Sequence, residues 1–338
     1  MLRTLRRRGA RDRSAGTPAD GRGRFGRPGA LDGLPWGGGA ADQPAGVRVG
    51  RFRRADADHP GRHAPRAGRR LAAALGATLL APAALQAAPR VISLDQCADQ
   101  YVLALSPRES IVGLSTRADD ADSRLRRLAA GLPIRRVDLE TALAARPQVA
   151  VRYWGGEPRL LRALQDRGVT VVTIGDADDF DDVRRSVRAV AAALGRPAAG
   201  EALIAGMDAR LRRAAGAWAG ARALYLTPGG ATAGHGTLVD AILRAAGFTN
   251  VERRPGYQVV SLEALALDPP RAVVQGFFDT FQLAGDSWGV GRHRILQRAV
   301  ERATVASLPG ALLGCPDWGA AEAAERLADR APRRAGRP

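Results

Sequence analysis

Leu139-Glu140-Thr141-Ala142-Leu143-Ala144-Ala145-Arg146-Pro147-Gln148-Val149-Ala150-Val151 and Leu262-Glu263-Ala264-Leu265-Ala266-Leu267-Asp268-Pro269-Pro270-Arg271-Ala272-Val273-Val274 are two copies of one pattern. Set side by side without a gap, Leu falls on Leu, Glu on Glu, and Pro on Pro seven residues later, with apolar residues following. Each copy reads as a short helix that opens with a Glu, stops before a Pro and feeds a buried strand. Two copies so far apart predict two similar lobes, each presenting one Glu at a corresponding place.

Around these blocks, apolar strand patterns alternate with helical ones, which predicts α/β lobes with mainly parallel sheets. Strands are expected at Arg90–Leu94, Ser110–Leu114, Val149–Tyr153 and Val169–Ile174, with helices near Cys97–Leu105, Glu157–Arg167 and Phe180–Leu194. A long helix after Pro197 separates this run from a second one. The second run holds strands at Ala223–Thr227, Ala272–Gln275 and Ala311–Leu313, and helices near Thr237–Ala246 and Ala320–Ala328. The expected architecture is two similar α/β lobes joined by one long helix, with a ligand cleft between them. Its divisions are an N-terminal lobe over 89–196, a bridging helix over 197–217 and a C-terminal lobe over 218–338.

The 338 residues are 46% hydrophobic, enough for a large core, and carry a net charge of +17. All 51 basic residues are Arg. Residues 1–70 hold 17 Arg against six Asp, so most of the excess charge sits in a Gly-, Pro- and Arg-rich stretch without apolar periodicity. That composition predicts a disordered extension over 1–65, or sequence upstream of the true start, rather than a nucleic-acid arm. Arg66-Ala67-Gly68-Arg69-Arg70, the uncharged run Leu71–Leu85 and Gln86-Ala87-Ala88 read as a secretory signal peptide over 66–88. Export to the periplasm would leave two cysteines, Cys97 and Cys315, as a disulfide or as thiols near the cleft.

Arg90-Val91-Ile92-Ser93-Leu94, Val112-Gly113-Leu114-Ser115 and the two Leu-Glu blocks together resemble the periplasmic solute-binding proteins of ABC importers for ferric siderophores, haem and corrinoids. The resemblance covers nearly all of 89–338. It implies a monomer without catalytic residues, metal site or cofactor, whose ligand itself carries iron or cobalt. Its partners would be that ligand, a metal chelate or corrinoid, and an ABC permease dimer with its ATPase, with no nucleic acid. Glu140 and Glu263 match the acidic residues that dock such proteins onto Arg pockets of the permease. Ligand contacts are expected from Tyr153, Trp154, His235, Tyr257, Phe277, Asp317 and Trp318, in loops that follow strands or open helices, with Phe278 adjoining. Tyr153 and Tyr257 stand where corrinoid-binding members present Trp. Arg135-Arg136 replaces a Trp-bearing stretch and would suit an anionic cargo if it faced the cleft. Two scattered mature histidines argue against the metal-ion-binding relatives. A secreted α/β enzyme using the same cleft is the alternative reading, and a basic nucleic-acid binder depending on residues 1–70 is a third.

Overall fold

The computed structural model describes residues 87–136, 138–279 and 293–332. The extension expected over 1–65 lies outside them, as does the leader expected over 66–88 apart from Ala87 and Ala88.

The N-terminal lobe is a four-stranded parallel sheet of β1 (Val91–Ser93), β2 (Ile111–Gly113), β3 (Val149–Arg152) and β4 (Thr170–Thr173), in the order β2-β1-β3-β4. Its helices are α1 (Gln96–Leu105), α2 (Arg126–Ala129), α3 (Leu139–Ala144), α4 (Pro158–Gln165) and α5 (Phe180–Ala193). The C-terminal lobe contains β5 (Arg222–Leu226), β6 (Ala231–Ala233), α7 (Leu238–Ala245), β7 (Thr249–Asn250) and β8 (Tyr257–Val259). It continues through α8 (Leu262–Leu267), β9 (Ala272–Gly276), α9 (Arg294–Ala303), β10 (Thr304–Leu308) and α10 (Gly319–Asp329). Here β10-β9-β5-β7 form a second parallel sheet, while β6 and β8 pair antiparallel beside it.

Read from the other edge, the second sheet is β7-β5-β9-β10, the topology of the first. The first strand of each lobe lies centrally, the second beside it, and the third and fourth on the opposite side. The Leu-Glu repeat therefore marks the same element pair in each lobe, α3–β3 and α8–β9. Its register holds at the helix caps too: Asp138 accepts from the Thr141 amide and Ser261 from that of Ala264, so each helix starts on a side-chain cap. Val149, Ala150 and Val151 are buried on both faces of β3, and Ala272, Val273 and Val274 on both faces of β9, as interior parallel strands require.

The lobes are joined by α6 (Pro197–Ala214). Ile204 and Met207 enter the N-terminal core with Tyr101, Val187 and Ile174, while Ala214 enters the C-terminal core with Tyr225, Ile242 and Leu327. Leu211 packs against both. The helix ends at Ala214, earlier than the 217 expected, and Gly216 follows at φ 70°, a left-handed conformation suited to Gly. One expected strand is corrected. Gly310–Leu312 is a single 3-10 turn, and the strand lies upstream at Thr304–Leu308. Pro309 follows its last residue and lacks the N–H that would continue the ladder.

Candidate functional site

Each sheet reverses its strand order between two neighbours, β1 and β3 in one lobe and β5 and β9 in the other, and the crevice beyond the carboxyl ends of such strands is where open α/β sheets receive ligands. A cavity of about 400 Å³ lies between the lobes. Tyr153, Asp176 and Asp178 line it from loops after β3 and β4, and Tyr257, the start of α7 and the segment Leu312–Pro316 line it from the other lobe.

The loop that carries Tyr153 is fixed by Asp95. Its Oδ2 accepts from the backbone N–H of Tyr153 at 2.7 Å and of Gly155 at 2.9 Å, while Oδ1 caps α1 through Ala98 N at 2.9 Å. A side chain on Gly155 would sit 2.3 Å from the Leu94 carbonyl oxygen, so only glycine permits this close approach. The Tyr153 hydroxyl donates to Asp176 Oδ1 at 2.6 Å. Burial, the bond to Asp176 and then the nearby phenol of Tyr257 push the Tyr153 pKa up. Desolvation of its hydroxyl and the Asp178 carboxylate do the same to Tyr257, so both phenols stay protonated at neutral pH.

Below this loop, buried Asp99 receives the Ser115 backbone N–H at 2.9 Å, the Ser115 hydroxyl at 2.6 Å and the Ser93 hydroxyl. Burial outweighs these bonds and lifts its carboxyl to about 6.

Two expected residues, Tyr153 and Tyr257, meet at the cavity from opposite lobes. Trp154 is exposed beside Tyr153 but outside the lining, and Phe278 is exposed as well. Phe277 has φ 65° after Gly276, and its ring approaches Gly314 on the cavity wall. His235 is exposed, with its backbone paired to Gly256 and its neighbour Gly236 in the lining. Glu140 and Glu263 are both exposed, each in the first turn of its repeat helix.

Asp317 and Trp318 are used for inter-lobe packing instead of lining the cavity. Asp317 is 2% exposed and ion-pairs with Arg124 at 3.1 Å. Trp318 meets the Tyr101 ring edge-on at 5.2 Å and lies 4.8 Å from the Arg124 guanidinium. Cys97 and Cys315 are bonded to each other, and the Tyr101 hydroxyl donates to the Pro316 carbonyl at 2.7 Å. Four consecutive residues of the C-terminal lobe are thus tied to the N-terminal lobe. Arg135 and Arg136 line a small recess beside α3 and are absent from the inter-lobe lining, so they do not supply the positive cleft considered from the sequence.

A second cavity, of about 370 Å³, lies within the C-terminal lobe under α8. Its Arg222 and Asp268 satisfy each other at 2.6 and 2.7 Å. Among the described residues no group of three or more His, Cys, Asp or Glu is placed to hold a metal ion, and no helix is long and apolar enough to cross a membrane.

The family model for periplasmic binding proteins matches residues 91–276, more than half of the chain. The chain belongs to the periplasmic binding protein family. Solved structures of this fold include the periplasmic haem-binding protein BhuT in complex with two haems, 25% identical, with TM-score 0.56 over 73% of this chain and 100% of that one. The periplasmic haem-binding protein HutB of Vibrio cholerae is 19% identical, with TM-score 0.58 over 71% of this chain and 98% of that one. The periplasmic vitamin B12-binding protein BtuF of Vibrio cholerae is 19% identical, with TM-score 0.51 over 72% and 96%. No curated protein matches the chain. Sequence reasoning missed Asp95, Asp99, Asp176, Asp178 and Arg124. An Asp directly before a helical pattern is an N-cap signal that could have revealed Asp95, whereas nothing local marks the others.

Proposed function

We propose that this protein is the periplasmic solute-binding subunit of an ABC importer, capturing a ferric siderophore, haem or corrinoid and delivering it to the permease. The observation that carries this reading is the inter-lobe cavity with Tyr153 and Tyr257 on opposing walls. Two aromatic faces, one from each lobe, suit a flat macrocycle or a compact chelate. Kinship with binding proteins named for haem and vitamin B12 supports the same cargo range. Glu140 and Glu263 serve as the docking charges, because the repeat presents one on the same helix of each lobe and a two-subunit receiver would meet both.

No chemistry is assigned to the cleft. Among the polar lining groups, Thr237 already donates to Gly234 O at 2.8 Å and caps α7, Cys315 is in its disulfide, and the Tyr153 hydroxyl is bonded to Asp176. Asp178 and Tyr257 complete the set without a nucleophile and base in contact among the described residues. No observation therefore favours the enzyme reading.

A tryptophan-fluorescence titration against aquacobalamin, cobinamide, haemin and several ferric siderophores, corrected for ligand absorption, tests the reading. Trp154 beside Tyr153 and Trp318 at the lobe junction are reporters, against the background of Trp218 packed on the C-terminal core. Saturable submicromolar binding to one of these classes is expected. A folded sample that gives flat titrations with all of them would overturn the assignment.

A further inference from the structure

Resting on that reading, we infer that the cavity selects metal chelates of neutral or positive net charge whose rims carry N–H donors, and disfavours anionic chelates. The argument begins with the charges on its walls. Among the described residues, Asp176 and Asp178 supply the full charges of the lining, and neither Arg nor His joins them. Composition does not explain this, because two-thirds of the 51 basic residues lie after residue 70.

Three arginines of neighbouring loops are already engaged, and Arg253 lines the other cavity. Arg117 pairs with Asp120 at 2.9 Å and with Asp122 at 3.1 Å. Arg124 is held by Asp317, and Arg254 by Glu252 at 2.7 Å. Recognition of carboxylates or catecholates rests on guanidinium or ammonium groups, and the described lining offers neither. One feature pulls the other way: α7 begins at the cavity wall, and a helix N-terminus carries about half a positive charge. Two whole negative charges outweigh it.

Hydrogen-bond polarity agrees with charge. The Tyr153 proton is committed to Asp176, so the phenol turns lone pairs rather than its hydrogen toward a guest. Carboxylate oxygens and lone pairs call for donors on the cargo. A corrinoid with carboxamide side chains meets this requirement, as does a ferric trihydroxamate bearing an ammonium group. A haem with ionised propionates or a ferric tris-catecholate does not.

Two carboxylates within several ångströms of a bound charge, in partly aqueous surroundings, are worth about tenfold in Kd per unit of cargo charge at low ionic strength, shrinking with added salt. The test measures Kd by titration for two cationic probes, aquacobalamin and ferrioxamine B, and for two anionic ones, haemin and a ferric tris-catecholate, at low and high salt. It uses the parent protein, Asp176→Asn/Asp178→Asn, and Glu201→Gln as a remote charge control on α6. The cationic chelates are expected to bind at least tenfold tighter. The Asn pair should cut that preference by about tenfold for each unit of charge difference between the probes, while Glu201→Gln keeps it. Equal or tighter binding of the anions, or a preference that survives both Asn substitutions, overturns the charge inference and leaves the solute-binding reading standing. Failure of all four probes to bind the folded protein overturns the metal-chelate reading and this inference with it.

Discussion

Replacing Cys97 and Cys315 by alanine should strip most of the stability that the cross-link provides and leave the ligand cavity intact. The bond joins residues 218 positions apart, linking the start of α1 in one lobe to the cavity wall in the other. For a loop of that length the chain-entropy model gives about 5 kcal/mol, acting on the unfolded chain. In the folded protein the same junction keeps the Tyr101–Pro316 hydrogen bond and the Arg124–Asp317 pair, so the lobes stay docked. With an m-value of about 3 kcal/mol/M, the urea midpoint should fall by roughly 2 M. The assay is paired urea unfolding of parent and double variant under non-reducing conditions, followed by circular dichroism and by fluorescence, together with a ligand titration. Kd should stay within threefold. A midpoint shift below 0.5 M, or a tenfold weaker Kd with the midpoint unmoved, would refute the reasoning, since the bond would then act on native cavity geometry.

Asp95→Ala removes the acceptor for the Ala98, Tyr153 and Gly155 amides and should cost about 3 kcal/mol in unfolding free energy while weakening ligand binding; unchanged binding in a folded variant would show that the Tyr153 loop holds itself. The Asp99 carboxyl, lifted from 3.8 to about 6, binds its proton more tightly in the folded state. Its contribution is therefore greatest below the unfolded value and is lost as pH rises through about 6, some 3 kcal/mol in all. Unfolding followed between pH 4 and 7 should show that downward slope, and Asp99→Asn should flatten it, its amide oxygen keeping the Ser115 N–H and its NH2 facing the Ser115 hydroxyl. Arg124→Met leaves the Asp317 carboxylate buried without its cation and should lower stability by about 3 kcal/mol in thermal or urea unfolding. Charge reversal at both Glu140 and Glu263 should abolish ligand delivery in reconstituted transport while Kd is unchanged; intact delivery would remove them from docking.

The architecture was legible because its signals are local. The Leu-Glu blocks, the strand-like runs and Pro197 at the first position of α6 all announce themselves within a dozen residues. What stayed hidden depends on tertiary pairing. The small β6–β8 sheet is built from three-residue strands, too short for any period to register, and Tyr257 owes its exposure to lying on one of them. Asp317-Trp318 reads as a polar–aromatic pair suited to a ligand, and only the arrival of Arg124 and Tyr101 from the other lobe converts it into packing. Likewise, Asp176 and Asp178 sit in an acidic run that reads as the cap of α5, where Asp179 does serve as N-cap. Their position on the cavity wall follows from the sheet order.

The ties on Cys315–Trp318 redraw the protein's mechanical map. By sequence this segment belongs to the C-terminal lobe, but bonded to Cys97, Tyr101 and Arg124 it must travel with the N-terminal one. Ala321 of α10 also packs into the N-terminal core, whereas Ala320, Ala323, Ala324 and Leu327 pack into the C-terminal one. Any widening of the cavity must then be taken up on both sides of that segment, between the end of β10 and Cys315, where Gly310 and Gly314 lie, and at the Trp318–Gly319 start of α10, and by bending along α6. The moving jaw is consequently smaller than the lobe that carries it, and a cargo resting on Leu312–Pro316 presses on the pivot itself.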